Sequence, residues 1–362
     1  MKSKSEKWLA FPLLCVEVMY NYIKETNLKF EGGMGMHTFL KECGKYEPKV
    51  PNILYHYCSV DTMLKILQNY CIWLSDAEKT NDKSELKYFA EQMEKMLLNI
   101  VESYQGKVNN ELLTLVKKVL KKAIESVYIG SAYIVQNTKN YFCCFSESSD
   151  LLSQWRAYGN DGQGVAIGFN AELLSKVDDM YSYNFVKIIY NQKSALKNIQ
   201  EYMEKQLNYI FENITEKELN PVDIMFNLAP IMTPILQERF AFKHPKFSEE
   251  REWRLFRNQV GNFDEDTGEN EPFFNGAFHA DDEIFGSFSC SDLKFRSLQN
   301  NICSYFEFGF EKCKEDIIKK IILGPKCQIE ERDLKILLRK YMYIRDVESN
   351  KIKIQKSKIP YV

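Results

Sequence analysis

The chain has 362 residues, 45% of them hydrophobic and 27% charged, with a formal net charge of -2. That is a globular composition with material for a sizeable core, and its balance gives no overall pull toward nucleic acid or an anionic membrane. The ten cysteines are scattered and form no C-x-x-C pair, which argues against a zinc framework or a disulfide scaffold and for reduced thiols in a cytoplasm.

The first stretch, "MKSKSEKWLAFPLLCVEVMYNYIKE", has lysines before the apolar run Trp8 to Val16, the layout of a signal peptide. It lacks an A-x-A site and runs directly into Glu17, so it reads as an amphipathic helix within a helical extension over residues 1–50. No apolar run approaches the roughly 18–20 residues that span a bilayer. "PNILYHYCS" (51–59) predicts a strand, "VDTMLKILQNY" a short helix with Met63, Leu64, Ile66 and Leu67 on its apolar side, and "CIWLSD" (71–76) a second strand. A helix then starts near Asn81 or Asp82, both good N-caps, with Glu85 placed to close a capping box. A second helix covers 110–128.

Strands resume at "YFCCFS" (141–146) and "GVAIGF" (164–169). Residues 192–240 read as helical, broken by prolines. "REWRLFR" (251–257), "SYFEFGF" (304–310) and "IIKKIILG" (317–324) predict strands, 262–272 an acidic loop, and 330–341 a helix. The tail "KIKIQKSKI" alternates, with lysines suited to an edge strand. Strands and helices mix without a βαβ cadence, so the fold class is α+β. Residues 51–345 form one domain with helical inserts near 84–130 and 192–240, followed by a terminal strand or tail over 346–362.

Three segments gather rare residues. In the first, His56 and Tyr57 occupy successive strand positions and point to opposite faces, one to the core and one to a cleft. The second, "SQWRAYGNDGQGVAIGFN", holds Trp155, Arg156 and Tyr158 ahead of Gly159, Gly162 and Gly164. Those glycines permit a tight turn that presents backbone N–H groups to a phosphate, or simply a helix cap and a hairpin. The third holds Glu250 and Glu252, two apart on what reads as a strand, with Arg254 alongside. Paired carboxylates beside an arginine fit a catalytic acid pair, and equally a charged triplet on the outer face of an edge strand.

These motifs resemble a bacterial family, domain of unknown function 2971. The resemblance rests on "LYHYCS", an N-D-x-x-E element at Asn81, Asp82 and Glu85, and "CFSE" with Trp155, Tyr158 and "GVAIGF". It extends to E-x-E-W-R at Glu250 to Arg254 and "IILGP" at Ile321 to Pro325. At the level of the fold, the opening is also similar to ADP-ribosyltransferases, especially their DNA-modifying toxin branch. That similarity implies a mixed or antiparallel split sheet with NAD as substrate. It implies a histidine on the first strand, His56, a hydroxyl on a middle strand, Ser146, and a late catalytic glutamate, Glu252 or Glu250. Tyr57, Trp155, Arg156 and Tyr158 would complete the NAD site, with Trp155 or Tyr158 stacking on nicotinamide and Arg156 taking a phosphate.

The implied activity is transfer of ADP-ribose to a protein or nucleic acid by a toxin or phage-defence effector. Two alternatives stand beside it. One is a Mg²⁺-dependent hydrolase or nuclease ligated by Asp82, Glu85, Glu250 and Glu252. The other is a non-catalytic sensor or partner-binding module in which the motifs are structural.

Overall fold

The computed structural model describes residues 48–79, 84–129, 138–179, 183–190, 192–213, 241–263, 270–272, 287–298, 300–342 and 352–361, with Ile224, Asn227 and Leu228. The N-terminal extension and the capping pair Asn81 and Asp82 lie outside the described residues.

The chain enters a sheet at β1 (Ile53–Cys58), turns through α1 (Val60–Asn69) and returns as β2 (Cys71–Asp76). Ser59 caps α1, its Oγ accepting the Thr62 N–H at 3.1 Å, as a serine ahead of an apolar-periodic run should. Met63, Ile66 and Leu67 are buried, as their spacing predicts. Helices α2 (Ser84–Glu102) and α3 (Asn110–Ile129) follow, then β3 (Thr138–Ser146), a short α4 (Leu152–Ala157) and β4 (Val165–Asn170). After α5 (Ala171–Ser175) come β5 (Tyr183–Lys187) and the long α6 (Gln192–Asn213). The second half supplies β6 (Glu252–Phe263), β7 (Asn270–Pro272), β8 (Ser289–Cys290), β9 (Lys294–Leu298) and β10 (Asn301–Gly309). It ends with α7 (Lys314–Ile317), β11 (Ile318–Leu323), α8 (Glu331–Tyr341) and β12 (Lys353–Lys356).

The strands form one sheet whose main path runs β12-β11-β4-β1-β3-β2-β10-β8, with β6 also paired to β3 and β5 to β6. The pairs are antiparallel except β11 with β12. The α+β expectation holds, and the sheet is open and mostly antiparallel. It divides at β3. One edge of β3 pairs with β6 from Thr138 to Ser146. The other edge is shared: β2 meets it at Tyr141 and Phe142, and β1 only at Ser146.

Side-chain alternation along β3 and β6 builds two cores on opposite faces. Phe142 and Phe256 join the helical layer of α2, α3 and α6. Tyr141, Cys143, Phe145, Trp253 and Leu255 join the core under α1 and α8. A smaller cluster of Tyr55, Tyr57, Trp155, Ala166 and Ile322 lies beside β1.

Two local expectations change. The acidic stretch 262–272 is bounded by paired residues, Gly261 to Phe263 facing Asn270 to Pro272. The Glu250, Glu252 and Arg254 triplet is not on the outer face of an edge strand. β6 has β3 on one side and β5 on the other, and both Glu252 and Arg254 are buried. Glu250 lies before the strand, in a 3-10 turn over Pro245–Glu250, and Arg251 between the two acids has φ 44°. That left-handed residue re-aims the chain, so strand alternation does not set the relation of the two carboxylates.

Candidate functional site

The site is built where β1 separates from β3. Glu252, the first residue of β6, is buried and ionically saturated. Arg254 Nε donates to its Oε1 at 2.7 Å and Nη2 to Oε2 at 3.2 Å. Lys243 Nζ donates to Glu252 Oε2 at 3.1 Å and to Glu250 Oε2 at 2.7 Å. Two carboxylates and two cations therefore cancel within one cluster, as a buried group of charges must if it is to persist. Burial alone would raise the Glu252 carboxyl. Arg254 and then Lys243 outweigh it, and with a Cys144 hydrogen bond they hold the group down at about 2. The Glu252 backbone N–H is satisfied as well, donating to the Tyr190 hydroxyl at 3.0 Å.

His56 completes the opposite wall. Its Nδ1 lies 3.0 Å from the Cys144 carbonyl oxygen. A carbonyl only accepts, so Nδ1 carries the proton and Nε2 the lone pair. The ring sits where β3 lacks a strand partner between its contacts with β2 and β1, and it supplies a donor the ladder does not. Burial disfavours the imidazolium and moves the His56 pKa down from 6.5, more than the Cys144 hydrogen bond moves it up. Burial pushes the neighbouring Cys143 thiol up beyond the usual thiol range, and burial followed by the Glu252 charge does the same to Cys144, which disfavours the reactive thiolate at either.

Between these walls lies a cavity of about 60 Å³. It is lined by Tyr55, His56 and Tyr57 from β1, Cys144 and Phe145 from β3, Gln154 and Tyr158 from the α4 region, and Glu250 with Glu252. His56 and Phe145 alternate onto one face of the sheet, and Tyr57, Cys144 and Glu252 onto the other. They share a cavity because the sheet is open there. The cavity's volume is well below the roughly 300–1,000 Å³ of pockets that enclose drug-sized ligands.

Residues 154–255 match the family model described as protein of unknown function, DUF2971. No curated protein and no solved structure matches the chain. The DUF2971 match begins at Gln154 and ends just past Arg254, so it takes in the α4 wall and the whole acid cluster. "LYHYCS", "CFSE" and "IILGP" lie outside the matched residues.

The sequence-predicted residues divide into three groups. His56, Tyr57, Tyr158, Glu250 and Glu252 meet at the cavity. Ser146 stands behind it: its Oγ donates to the Glu250 carbonyl at 2.6 Å and accepts the Ser148 N–H at 3.0 Å. This ties the end of β3 to the turn that delivers the acids. Trp155 and Arg156 sit elsewhere. The Trp155 ring is 0% exposed, packed edge-on against Tyr57 at 4.7 Å, with its indole N–H given to Asp150 at 2.7 Å. It cannot stack on a nicotinamide without leaving the core. Arg156 lies 5.9 Å from the Tyr361 ring, away from the cavity.

The N–H groups that the glycines bring to the turn are taken up within it. The Gly162 N–H donates to the Trp155 carbonyl at 3.0 Å, the Gln163 N–H to Asn160 at 3.1 Å and the Gly164 N–H to Gly159 at 2.8 Å. It is a helix cap followed by a turn.

Sequence reasoning missed Lys243, Gln154, Cys144 and Tyr190. Lys243 had a signal: it stands seven residues before Glu250 in "FKHPKFSEE", and a buried acid pair needs a cation. Gln154 and Tyr190 had none.

Proposed function

We propose that the chain is an NAD-consuming transferase of the ADP-ribosyltransferase type, acting in a cytoplasm on a protein or nucleic-acid acceptor. The observation behind this reading is that His56 of β1 and Glu252 of β6, strands on opposite edges of β3, line one cavity with Glu250 beside them. In this chemistry the bond between ribose C1′ and the nicotinamide nitrogen breaks. Its electron pair leaves with the nicotinamide, and an oxocarbenium-like ribosyl cation forms before the acceptor attacks C1′. Glu252, ionised and fixed by Arg254, would accept the ribose 2′-hydroxyl and stabilise that cation, a role whose loss typically costs about 10²–10³ in rate. His56 Nε2 would accept a second sugar hydroxyl. Glu250, held less deeply, would take the proton of the acceptor. Admitting the dinucleotide requires the wall carrying Gln154 and Tyr158 to move outward.

The free thiols of the eight described cysteines suit a reducing compartment, and among the described residues no helix is long and apolar enough to cross a membrane. A divalent-metal hydrolase fits less well. Lys243 and Arg254 already neutralise Glu250 and Glu252, and among the described residues no three His, Cys, Asp or Glu are grouped to hold a metal. A non-catalytic role has one observation in its favour, the small volume of the cavity.

The test is nicotinamide release from NAD in the presence of protein, DNA or RNA acceptors. Release that survives EDTA and falls at least about 100-fold in a folded Glu252→Gln variant supports the transferase. Release abolished by EDTA shifts the reading to metal chemistry. Silence of the wild-type protein with every acceptor leaves the non-catalytic role.

A further inference from the structure

The cavity wall formed by Gln154 and Tyr158 belongs to a segment, 150–164, that is held from outside by the last strand and the residues after it. β12 pairs with β11, and the Ser357 N–H continues the contact by donating to the Leu323 carbonyl at 2.8 Å. Beyond it the chain crosses the wall segment, and Asp150 receives it. Asp150 Oδ1 accepts the Ser357 hydroxyl at 2.6 Å, and Oδ2 accepts the Lys358 N–H at 2.8 Å. The same Oδ1 takes the Trp155 indole N–H at 2.7 Å. One carboxylate thus joins the strap to Trp155, the fully buried side chain of α4. Farther along, Asp161 takes the Tyr361 hydroxyl at 2.5 Å and Lys326 Nζ at 3.0 Å. On the inner side, the Tyr57 hydroxyl donates to the Ser148 carbonyl at 2.8 Å and accepts the Leu151 N–H at 3.1 Å.

We infer that Asp150 is a positioning residue of the cavity wall: through it, residues 357–361 hold α4, and with it Gln154 and Tyr158, in place against the cavity. The chemistry singles out this residue. All three of its partners are donors, and only a carboxylate presents acceptors on both oxygens. An asparagine at 150 would turn an NH₂ group toward either the Lys358 N–H or the Trp155 N–H, so one anchor is lost whichever way the amide lies. The Asp161 contacts are more exposed and contribute less. The positioning role rests on these bonds and not on any activity, while any effect on turnover rests on the proposed transferase reading.

The test uses the full chain with Asp150→Asn and Ser357→Ala, the second removing the hydroxyl that donates to Asp150 and accepts the Ile359 N–H while sparing the Trp155 and Lys358 contacts, in case the first does not fold. Hydrogen–deuterium exchange is followed over 151–164, and nicotinamide release is measured as KM and kcat. Both variants should raise exchange in 151–164 at least several-fold while leaving β3 and β6 protected. KM for NAD should move at least threefold with kcat within about twofold, and Asp150→Glu should restore part of the protection. Unchanged exchange in 151–164 in a folded variant overturns the inference. Raised exchange in a protein whose wild type releases no nicotinamide upholds the positioning role and removes the transferase reading instead.

Discussion

Glu252 shows how a residue's neighbours decide its chemistry. An isolated carboxyl at this depth would be neutral, but two cations in hydrogen-bond contact keep it ionised. Its pKa, held at about 2 instead of the ordinary 4.5, is a depressed carboxylate value. The stability it contributes is therefore complete above about pH 4.5 and is lost as pH falls toward 2. Removing one member of such a cluster leaves its partner buried and uncompensated. Lys243→Met should lower unfolding free energy by about 3–5 kcal/mol, read from urea denaturation at pH 7. The double variant Lys243→Met/Glu250→Gln should lose less than the sum of the two singles.

His56 works with the opposite sign. Its folded pKa lies below 6.5, so the unfolded chain binds the proton more readily and stability declines as pH falls below about 6.5. The decline continues until the folded pKa is passed. In His56→Gln, whose amide can still donate to Cys144, the stretch of the stability curve just below pH 6.5 should flatten relative to wild type.

At the scale of elements, the site depends on how tightly β4 and the turn before it pack. A methyl group added at Gly164 would overlap the carbonyl oxygen of Cys58 at the end of β1, which is backbone and cannot swing aside. Gly164→Ala should cost at or above the top of the roughly 1–3 kcal/mol range for overpacking, seen as a lower urea midpoint at unchanged m-value. This close approach of β1 and β4 was legible in part, since a glycine opening an apolar run signals a near backbone. The strand identities of "LYHYCS", "YFCCFS" and "GVAIGF" were legible because their apolar and aromatic content is local information.

What could not be read was which elements become neighbours. The His56 to Cys144 contact spans 88 residues and the Ser146 to Glu250 contact 104, and no local pattern encodes such pairings. For the same reason Trp155 and Tyr158, three apart on one helical turn, looked equivalent as pocket aromatics. The fold buries the first against Tyr57 and leaves the second 44% exposed as the C-cap of α4. The E-x-E spacing was visible, but its convergence on a lysine was not, because Arg251 in a left-handed conformation takes Glu250 out of the strand period.

For the whole molecule, the consequence lies in the helical layer that the sequence presents as inserts. α2, α3 and α6 fall outside the motifs around the cavity, yet they are not appendages. Met93, Leu97, Val116 and Leu120 from α2 and α3, with Met203 and Leu207 from α6, share one core with Phe142 of β3, Val186 of β5 and Phe256 of β6. Those three strand residues stand on the same face of the sheet as Glu252 and Arg254, and the Arg254 guanidinium lies 4.7 Å from the Phe142 ring. The helices therefore complete the low-dielectric surroundings in which the ion cluster sits. Leu97→Ala, at a residue 0% exposed, should cost about 2–5 kcal/mol, although Leu97 does not line the cavity. Replacing 84–129 by a short linker removes far more, because it uncovers a contiguous apolar face on β3, β5 and β6 and admits water to the ion pairs. The expected result is loss of the sharp monodisperse peak on size exclusion together with loss of near-UV dichroism from the buried aromatics. A shortened chain that stayed monodisperse with its near-UV signal intact would show instead that the sheet holds its site without the helical layer.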